Sequence, residues 1–186
     1  TEEGDTLWVH DYQLLLLPQM LRKKLPRIAI GYFNHIPFPS FEMFRMLPWR
    51  KELLHGLLGA DLIGFHTYDD MRHFLSSTNR LTQFNVSNQY IQNQERRVKV
   101  DAFPMGIDYA KYAASAASPE TISQEVEYRT ALGGKRLILS IDRLDYTKGI
   151  PQRLRVFDEF LIKYPEFKEK VSLVMVVVPS RDNVGM

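Results

Sequence analysis

The residues best suited to chemistry lie at 142–149, in the order Asp-Arg-Leu-Asp-Tyr-Thr-Lys-Gly. The segment follows an apolar run that predicts a strand and precedes a predicted helix with Pro151 in its first turn. Ligands of open α/β folds bind at such strand ends, where a helix N-terminus offers N–H groups and partial positive charge to phosphate. Arg143 and Lys148 add two cations, and Gly149 lets the backbone approach closely. The segment therefore indicates a site for a diphosphate.

The same segment has a second interpretation, as ordinary protein surface. Arg143 would then pair with Asp142 or Asp145, and Lys148 would be a solvated loop lysine. Exposed ion pairs of this kind are common, and each stabilises a protein by only about 0–1 kcal/mol. Spacing alone supports the two interpretations equally.

Three further predicted strand ends carry a polar side chain: Asp11, His35 and Arg181. A carboxylate accepts hydrogen bonds well from sugar hydroxyls, but Asp also caps helices often, and on chemistry alone capping is the better supported role of Asp11. His35 suits either ligand binding or a neutral imidazole bonded to a backbone carbonyl. Arg181 suits either a phosphate contact or an exposed loop position. A cleft between two lobes would gather all four strand ends around a charged substrate.

The remaining histidines show no metal-ligand spacing, and the chain contains no cysteine. We therefore predict structural roles for these histidines and no metal site. They are His10, His55, His66 and His73. The lack of cysteine also excludes disulfides, zinc fingers and a thiol nucleophile, and it fits a reducing cytoplasm.

Charge and hydropathy exclude several other classes. The net charge is +2 with dispersed basic residues, so a nucleic-acid partner is not indicated. No apolar run approaches the roughly 18 residues that a membrane span needs. No Gly-x-Gly-x-x-Gly follows a predicted strand, which leaves a dinucleotide-dependent dehydrogenase without support.

Short apolar runs alternate with helical patterns along the chain, which predicts an α/β fold with parallel sheets. Thr67 and Asp70 form a predicted capping box at the start of one helix. Strands are predicted at 7–10, 28–33, 61–65, 90–92, 98–103, 137–141 and 171–178, the first and the last two of them buried. Helices are predicted at about 17–25, 41–47, 48–58, 68–75, 119–132 and 150–163.

The composition shifts to alanine and serine after residue 108, which predicts a junction between two lobes. Residues 1–108 would belong to an N-terminal lobe, 109–135 to a connection with a polar helix, and 136–186 to the start of a C-terminal lobe. Both lobes are expected to be incomplete, because packed α/β domains usually need more than about 100 residues each.

Five ordered motifs identify a resemblance. They are WVHDY at 8–12, HIPFP at 35–39, DLIGF at 61–65, RLDYTKG at 143–149 and PSR at 179–181. Together they resemble the trehalose-6-phosphate synthase family of retaining glycosyltransferases from end to end of the chain. The resemblance implies the GT-B architecture, in which two Rossmann-like lobes face each other across a cleft.

The resemblance also implies an activity and roles for residues. The family transfers glucose from UDP-glucose to glucose 6-phosphate with retention, giving α,α-trehalose 6-phosphate and UDP, without a metal or other cofactor. It implies that Arg143, Lys148 and His35 are catalytic and, with Gly149, bind the donor. Asp11 and Arg181 would bind the acceptor.

Two alternatives to this enzyme stay open at this point. One is a regulatory or scaffold member of the same family, and the other is a GT-B transferase with a different acceptor. The chain is expected to be the central piece of a longer protein and to show little or no turnover alone. The sequence leaves open the oligomeric state, a phosphatase domain downstream, and the choice among UDP-, ADP- and GDP-glucose.

Overall fold

The computed structural model describes residues 4–93 and 96–179, and the chain divides after Ile107 into two compact units. The first unit is an α/β structure, as predicted. Its strands are β1 Thr6–His10, β2 Ala29–Asn34, β3 Leu62–Phe65, β4 Asn85–Ser87, β5 Tyr90–Asn93 and β6 Arg96–Ala102. Its helices are α1 Leu17–Lys24, α2 Phe41–Phe44, α3 Arg50–Leu57 and α4 Tyr68–Leu81, with a 3-10 turn at Tyr12–Leu14.

The sheet of the first unit has the order β1-β2-β3-β6-β5-β4. The first four strands in this order are parallel, and β5 and β4 complete the sheet as antiparallel neighbours. His10 lies beside Phe33, and Asn34 lies beside Phe65. This register brings the carboxyl ends of β1, β2 and β3 to one edge, so the loops that follow them are neighbours in space.

The core of the first unit lies between its sheet and its helices. Leu54 on α3, Ile63 and Phe65 on β3, and Phe74 on α4 are all fully buried. A central parallel strand is covered on both faces, which explains the uninterrupted apolar run of β3. The N-cap half of the predicted capping box is confirmed, since the Thr67 hydroxyl accepts a hydrogen bond from the backbone N–H of Asp70 at 3.2 Å. The Asp70 carboxylate accepts hydrogen bonds from the Thr67 hydroxyl and from the backbone N–H of Phe38.

A half-buried carboxylate ties three elements together at the start of β3. Asp61 accepts hydrogen bonds from Arg22 of α1 at 2.7 Å and from Arg96 of β6 at 2.8 Å. Its side chain also accepts a hydrogen bond from the backbone N–H of Ile30 at 2.8 Å. Both arginines are therefore paired with Asp61 inside the fold. Removing the carboxylate would leave their charges without this partner.

The second unit contains α5 Tyr109–Ala116, α6 Pro119–Ala131, β7 Arg136–Arg143, α7 Ile150–Lys163 and β8 Val171–Val178. The two strands are parallel, in a register that runs from Arg136 beside Val171 to Arg143 beside Val178. The helix between them makes the connection that a parallel pair requires. Across the described ranges, no helix is both long and apolar enough to cross a membrane.

Several local expectations were wrong. The strands β7 and β8 were predicted to be buried, yet Leu139 and Ile141 are each 62% exposed. The described part of this sheet has only two strands, and apolar side chains on both faces of β7 stay in contact with solvent. Strand β1 was also predicted to be buried, yet Trp8 is 50% exposed, because β1 lies at the edge of its sheet. Leu47 was predicted to face inward and is exposed. The three-residue strand β4 and the alanine-rich helix α5 were not predicted. The division into lobes 1–108, 109–135 and 136–186 stays a prediction.

Candidate functional site

Three neighbouring strands of the first unit are each followed closely by a histidine at the same sheet edge. His10 ends β1, His35 follows β2 and His66 follows β3. The His10 and His35 rings lie 25° from parallel with centroids 5.1 Å apart, and His10 Nδ1 lies 2.9 Å from His35 Nε2. The His66 ring meets His35 edge-on at 5.5 Å. We call these three residues the histidine row.

Of this row, only His35 was predicted from the sequence to bind a ligand, and His10 and His66 were predicted to be structural. Residues 25 and 31 positions apart show no spacing pattern, so only the strand order brings them together. A usable signal was present all the same, because each histidine ends or follows a predicted strand. Parallel neighbours place such positions at one edge.

Aromatic side chains support the histidine row from within the sheet. Phe33 contacts the rings of His35 and His66, with centroids 4.9 Å away in both cases. Trp8 meets His10 edge-on at 5.7 Å. Trp8 also covers Gly31, where an added Cβ atom would lie 2.2 Å from the indole ring. The row therefore rests on rings whose own position requires a residue without a side chain at position 31.

Asp11 both caps the next turn and binds the loop that carries His35. Its Oδ1 accepts hydrogen bonds from the backbone N–H of Tyr12 at 2.9 Å and from that of His35 at 3.3 Å. Its backbone has φ 71° and ψ 167°, a region that residues other than glycine rarely adopt. Such a conformation costs about 1–3 kcal/mol and is found most often at functional sites. The carboxylate is therefore held at the sheet edge at a conformational cost.

Buried polar groups fix the first part of the loop 35–39. Tyr32 is fully buried, and its hydroxyl donates to Asn34 Oδ1 at 3.0 Å. Asn34 in turn donates its Nδ2 hydrogen to the carbonyl of Ile36 at 2.5 Å. Burial, with the nearby Asp11 charge as a smaller cause, raises the pKa of the Tyr32 phenol above its ordinary value. The phenol therefore remains a donor throughout the physiological pH range.

The second part of the loop is anchored to helix α4. The backbone N–H of Phe38 donates to Asp70 Oδ1 at 2.9 Å, and Asp70 Oδ2 accepts from the Thr67 hydroxyl at 2.6 Å. His73 Nδ1 lies 3.1 Å from the Phe38 carbonyl oxygen, which accepts a hydrogen bond from it. His73 therefore has the structural role that was predicted for it. Two prolines and these anchors together hold the loop in one conformation.

The second unit carries the predicted diphosphate segment at the end of β7. Asp145 Oδ1 accepts hydrogen bonds from the backbone N–H and hydroxyl of Thr147, at 3.0 and 2.9 Å, and caps the 3-10 turn Tyr146–Lys148. Gly149 then has φ 61° and ψ 35°, which is the left-handed conformation, and forms the N-cap of α7. Glycine adopts this conformation without the Cβ clash that other residues meet.

Asp142 is paired with an arginine that was not predicted to be a site residue. Arg153, in the first turn of α7, donates to Asp142 Oδ2 at 2.5 Å and to the Ser140 hydroxyl at 2.6 Å. Lys148 Nζ lies 3.9 Å from the other carboxylate oxygen of Asp142. The signal for Arg153 was its place one turn after Gly149, where a helix packs on the strand that it follows.

Arg143 differs from both of its cationic neighbours. Its side chain is exposed and forms no hydrogen bond or ion pair with any residue in the described part of the chain. The surface interpretation, in which Arg143 pairs with Asp142 or Asp145, was therefore wrong for this residue. Arg153 satisfies Asp142 instead and leaves the Arg143 guanidinium available to an anion.

The predicted site residues thus fall into two groups. His35 and Asp11 lie together at the sheet edge of the first unit, whereas Arg143, Lys148 and Gly149 lie together at the strand end of the second. Arg181 lies outside the described residues. Over residues 4–93 and 96–179, no group of three or more His, Cys, Asp or Glu side chains is arranged to hold a metal ion.

Comparisons with known proteins agree with one another. The sequence model described as glycosyltransferase family 20 matches residues 1–186. The α,α-trehalose-phosphate synthase (UDP-forming) of Pichia angusta is 48% identical over 189 residues, which cover 98% of this chain and 40% of that protein. The chain therefore spans well under half the length of this relative.

Two solved structures are similar to this chain in fold and in sequence. The N-terminal domain of Candida albicans trehalose-6-phosphate phosphatase is 41% identical with a TM-score of 0.76, covering 97% of this chain and 39% of that one. The E. coli trehalose-6-phosphate structure bound with UDP-2-fluoro glucose is 33% identical with a TM-score of 0.77, covering 100% of this chain and 41% of that one. These matches confirm the predicted fold class.

Proposed function

The chain belongs to glycosyltransferase family 20, and we propose that the full-length protein transfers glucose from UDP-glucose to glucose 6-phosphate. The products would be α,α-trehalose 6-phosphate and UDP, with the α configuration of the donor retained. Support comes from the printed name of the Pichia angusta relative and from the nucleotide sugar analogue in the E. coli structure. We further propose a cytoplasmic protein, because the sequence contains no cysteine.

The observation that carries the proposal is the cation arrangement at the end of β7. Arg143 is exposed and without a partner in the described part of the chain, and Lys148 stands directly before the left-handed Gly149 at the N-cap of α7. Two cations beside a helix N-terminus suit the diphosphate of a nucleotide sugar. Each charge-assisted hydrogen bond to such a ligand is worth about 1.5–3 kcal/mol.

In the proposed reaction the anomeric oxygen of glucose 6-phosphate bonds to C1 of the donor glucose. The bond from C1 to the diphosphate oxygen breaks on the same face of the sugar, and the acceptor proton passes to the leaving phosphate. Arg143 and Lys148 neutralise the charge that grows on UDP, so the reaction needs no metal or organic cofactor. Removing one such group lowers the rate by about 10²–10³.

Two residues of the first unit, together with Arg181, would contact the two sugars. His35 would contact the donor glucose and Asp11 would accept hydrogen bonds from acceptor hydroxyls, while Arg181 would bind the acceptor phosphate. The anchored loop and the strained backbone of Asp11 support this assignment, because both hold polar groups in fixed positions before any ligand binds.

Release of UDP by the full-length protein, measured with both substrates present, tests the activity. Arg143→Ala and Lys148→Ala are each expected to lower turnover by about 10²–10³. Arg155→Ala is the matched control, since it removes an exposed arginine of α7 without touching the strand end, and it should keep near-normal turnover. Equal losses in all three variants would contradict the proposed roles.

Two variants test the acceptor side. Asp11→Asn retains an oxygen for the N–H groups of Tyr12 and His35 and tolerates positive φ, so it removes the charge while keeping the cap. This variant and Arg181→Ala should each raise the KM for glucose 6-phosphate at least about tenfold, with a smaller effect on the KM for UDP-glucose. An unchanged requirement for glucose 6-phosphate would point to a transferase with another acceptor.

A second candidate function has one observation in its favour. The Candida albicans match is named as a phosphatase domain rather than a synthase, although its likeness covers nearly the whole chain. A regulatory or scaffold member of the family would share this fold without turnover. Folded wild-type protein that releases no UDP with both substrates present would favour that alternative.

A further inference from the structure

We propose that His10 is a positioning residue whose hydrogen bond to Nε2 of His35 sets the orientation of the His35 ring and couples the tautomers of the two rings. His10 was predicted from the sequence to be structural. Its functional consequence rests on the donor-binding role proposed above for His35. The structural claim itself is independent of that role, because it concerns a hydrogen bond between two imidazole rings.

The hydrogen bond between the rings restricts which nitrogen of each neutral ring carries the hydrogen. His10 Nδ1 and His35 Nε2 are 2.9 Å apart, which is a normal hydrogen-bond length. A neutral imidazole carries hydrogen on only one of its two nitrogens, so one ring must donate and the other must accept. The tautomer of His35 is therefore tied to that of His10, and two donors or two acceptors facing each other would break the bond.

Other contacts of His35 constrain its ring without choosing a tautomer. Phe33 lies at 4.9 Å and His66 at 5.5 Å between ring centroids, and both contacts are through ring faces or edges. Among the described residues, His10 is the one group that hydrogen-bonds the His35 ring. Aromatic packing thus limits how the ring tilts, whereas the hydrogen bond to His10 engages Nε2 and couples the tautomers of the two rings.

The bond also determines which atom of His35 meets a ligand. Nε2 is engaged by His10, so Nδ1 is the nitrogen left for a sugar hydroxyl. A hydroxyl can donate or accept, and the tautomer of His35 decides which of the two it does. Holding the ring in one orientation in advance spares the ligand the cost of ordering it at the moment of binding.

Two substitutions of His10 separate its hydrogen bond from its ring. His10→Phe keeps an aromatic ring against Trp8 and His35 but removes the nitrogen. His10→Asn loses the ring, but its side-chain amide places a polar atom close to the position of Nδ1 and retains the bond. His55→Phe is the matched control, because His55 contacts Phe84 away from the histidine row.

The direct readout is the pair of ¹⁵N chemical shifts of the His35 ring in the full-length protein. The Nε2 signal of His35 should be that of a hydrogen-bonded nitrogen in the wild type, in His10→Asn and in the control, and it should shift in His10→Phe. A His35 signal that is the same in His10→Phe as in the wild type overturns the proposal. If His10→Phe does not fold, a wild-type spectrum without scalar coupling across the hydrogen bond between the two rings overturns it equally.

Kinetics supply the second readout. His10→Phe should lower kcat/KM for UDP-glucose about tenfold, and His10→Asn by less than about threefold. The reverse order would show that the ring rather than the hydrogen bond matters, and would overturn the proposal. Wild-type protein with a hydrogen-bonded His35 Nε2 and no UDP release would contradict the proposed function while leaving the structural inference standing.

Discussion

The two units of this chain support their polar residues in different ways. In the first, the loop that carries His35 is fixed by buried groups, since Asn34 is 3% exposed and Asp70 is 8% exposed. In the second, the cations stand at the end of a two-stranded sheet whose apolar side chains are half exposed. One site is built on a core, whereas the other depends on local contacts around Asp142 and Gly149.

This difference indicates two kinds of preorganisation. Buried hydrogen bonds in the first unit are costly to leave unmade, so they specify one loop conformation. The second unit instead uses the chain itself, through a left-handed glycine and a 3-10 turn that together set where Lys148 lies. A sugar needs several groups at fixed distances, while a diphosphate needs mainly charge at a helix terminus.

The largest expected difference between the units concerns core stability. Leu54→Ala in the first unit, at a fully buried position, should cost about 2–5 kcal/mol of unfolding free energy. Leu139→Ala in the second, at a position 62% exposed, should cost less than about 0.5 kcal/mol. Urea unfolding followed by tryptophan fluorescence reports the first unit, which contains both tryptophans, and circular dichroism reports both. Similar losses of unfolding free energy in the two variants would contradict a difference in core stability between the units.

A substitution beneath the histidine row should have the next largest effect. Gly31→Ala would place a methyl group 2.2 Å from the Trp8 ring, and overpacking of this kind costs about 1–3 kcal/mol. The fluorescence of Trp8 should change with it. Gly106→Ala is the control, because nothing lies within 4 Å of its added Cβ, and it should leave the fluorescence unaltered.

The second unit has its own glycine test. Gly149→Ala meets only ordinary contacts, the nearest at 3.5 Å, so its cost comes from the left-handed backbone and should be about 1–2 kcal/mol. Gly149→Asn should cost less, since asparagine tolerates positive φ. Unfolding monitored by circular dichroism, together with UDP affinity, measures both variants. If Gly149→Ala has the same free energy of unfolding as the wild type, the left-handed backbone at 149 is not what positions Lys148.

The smallest effect concerns acid stability of strand β6 in the first unit. A hydrogen bond from Lys99, at 3.0 Å, lowers the pKa of Asp101 below its ordinary value of 3.8. The pair therefore stabilises the folded state fully above that value, and the contribution is lost as the pH falls through the lower, folded pKa. Urea midpoints of Asp101→Asn should fall less steeply than wild type from about pH 5 to pH 2. Parallel curves would argue against the ion pair.

The sequence predicted much of the fold because local patterns carried it. The apolar runs of β1, β2 and β3, the capping box at Thr67 and the proline-flanked loop 35–39 all lie where they were expected. Burial was harder to predict, because a run such as β7 looks the same whether one or both of its faces is covered. The very short β4 has too few residues for any pattern to form.

The candidate site was also predictable only in part. Asp11, His35, Arg143 and Lys148 each follow a strand in the sequence, so their positions at strand ends could be predicted from local signals. Their partners were not predicted, because strand order brings His10 to His35 and helix packing brings Arg153 to Asp142. Local signals indicated that His10 and Arg153 lie near the site, but not which residues they meet. Asp142 was one of two acids proposed as partners of Arg143, and in the fold it pairs with Arg153 instead.

The sequence by itself determined which residues end the strands, which turns require glycine or proline, and the family to which the chain belongs. Tertiary structure alone decided that His10 bonds His35 and that Arg143 is left without a partner in the described part of the chain. The physical reason is that strand order and helix packing set the distances between side chains, and hydrogen bonds form only at those distances.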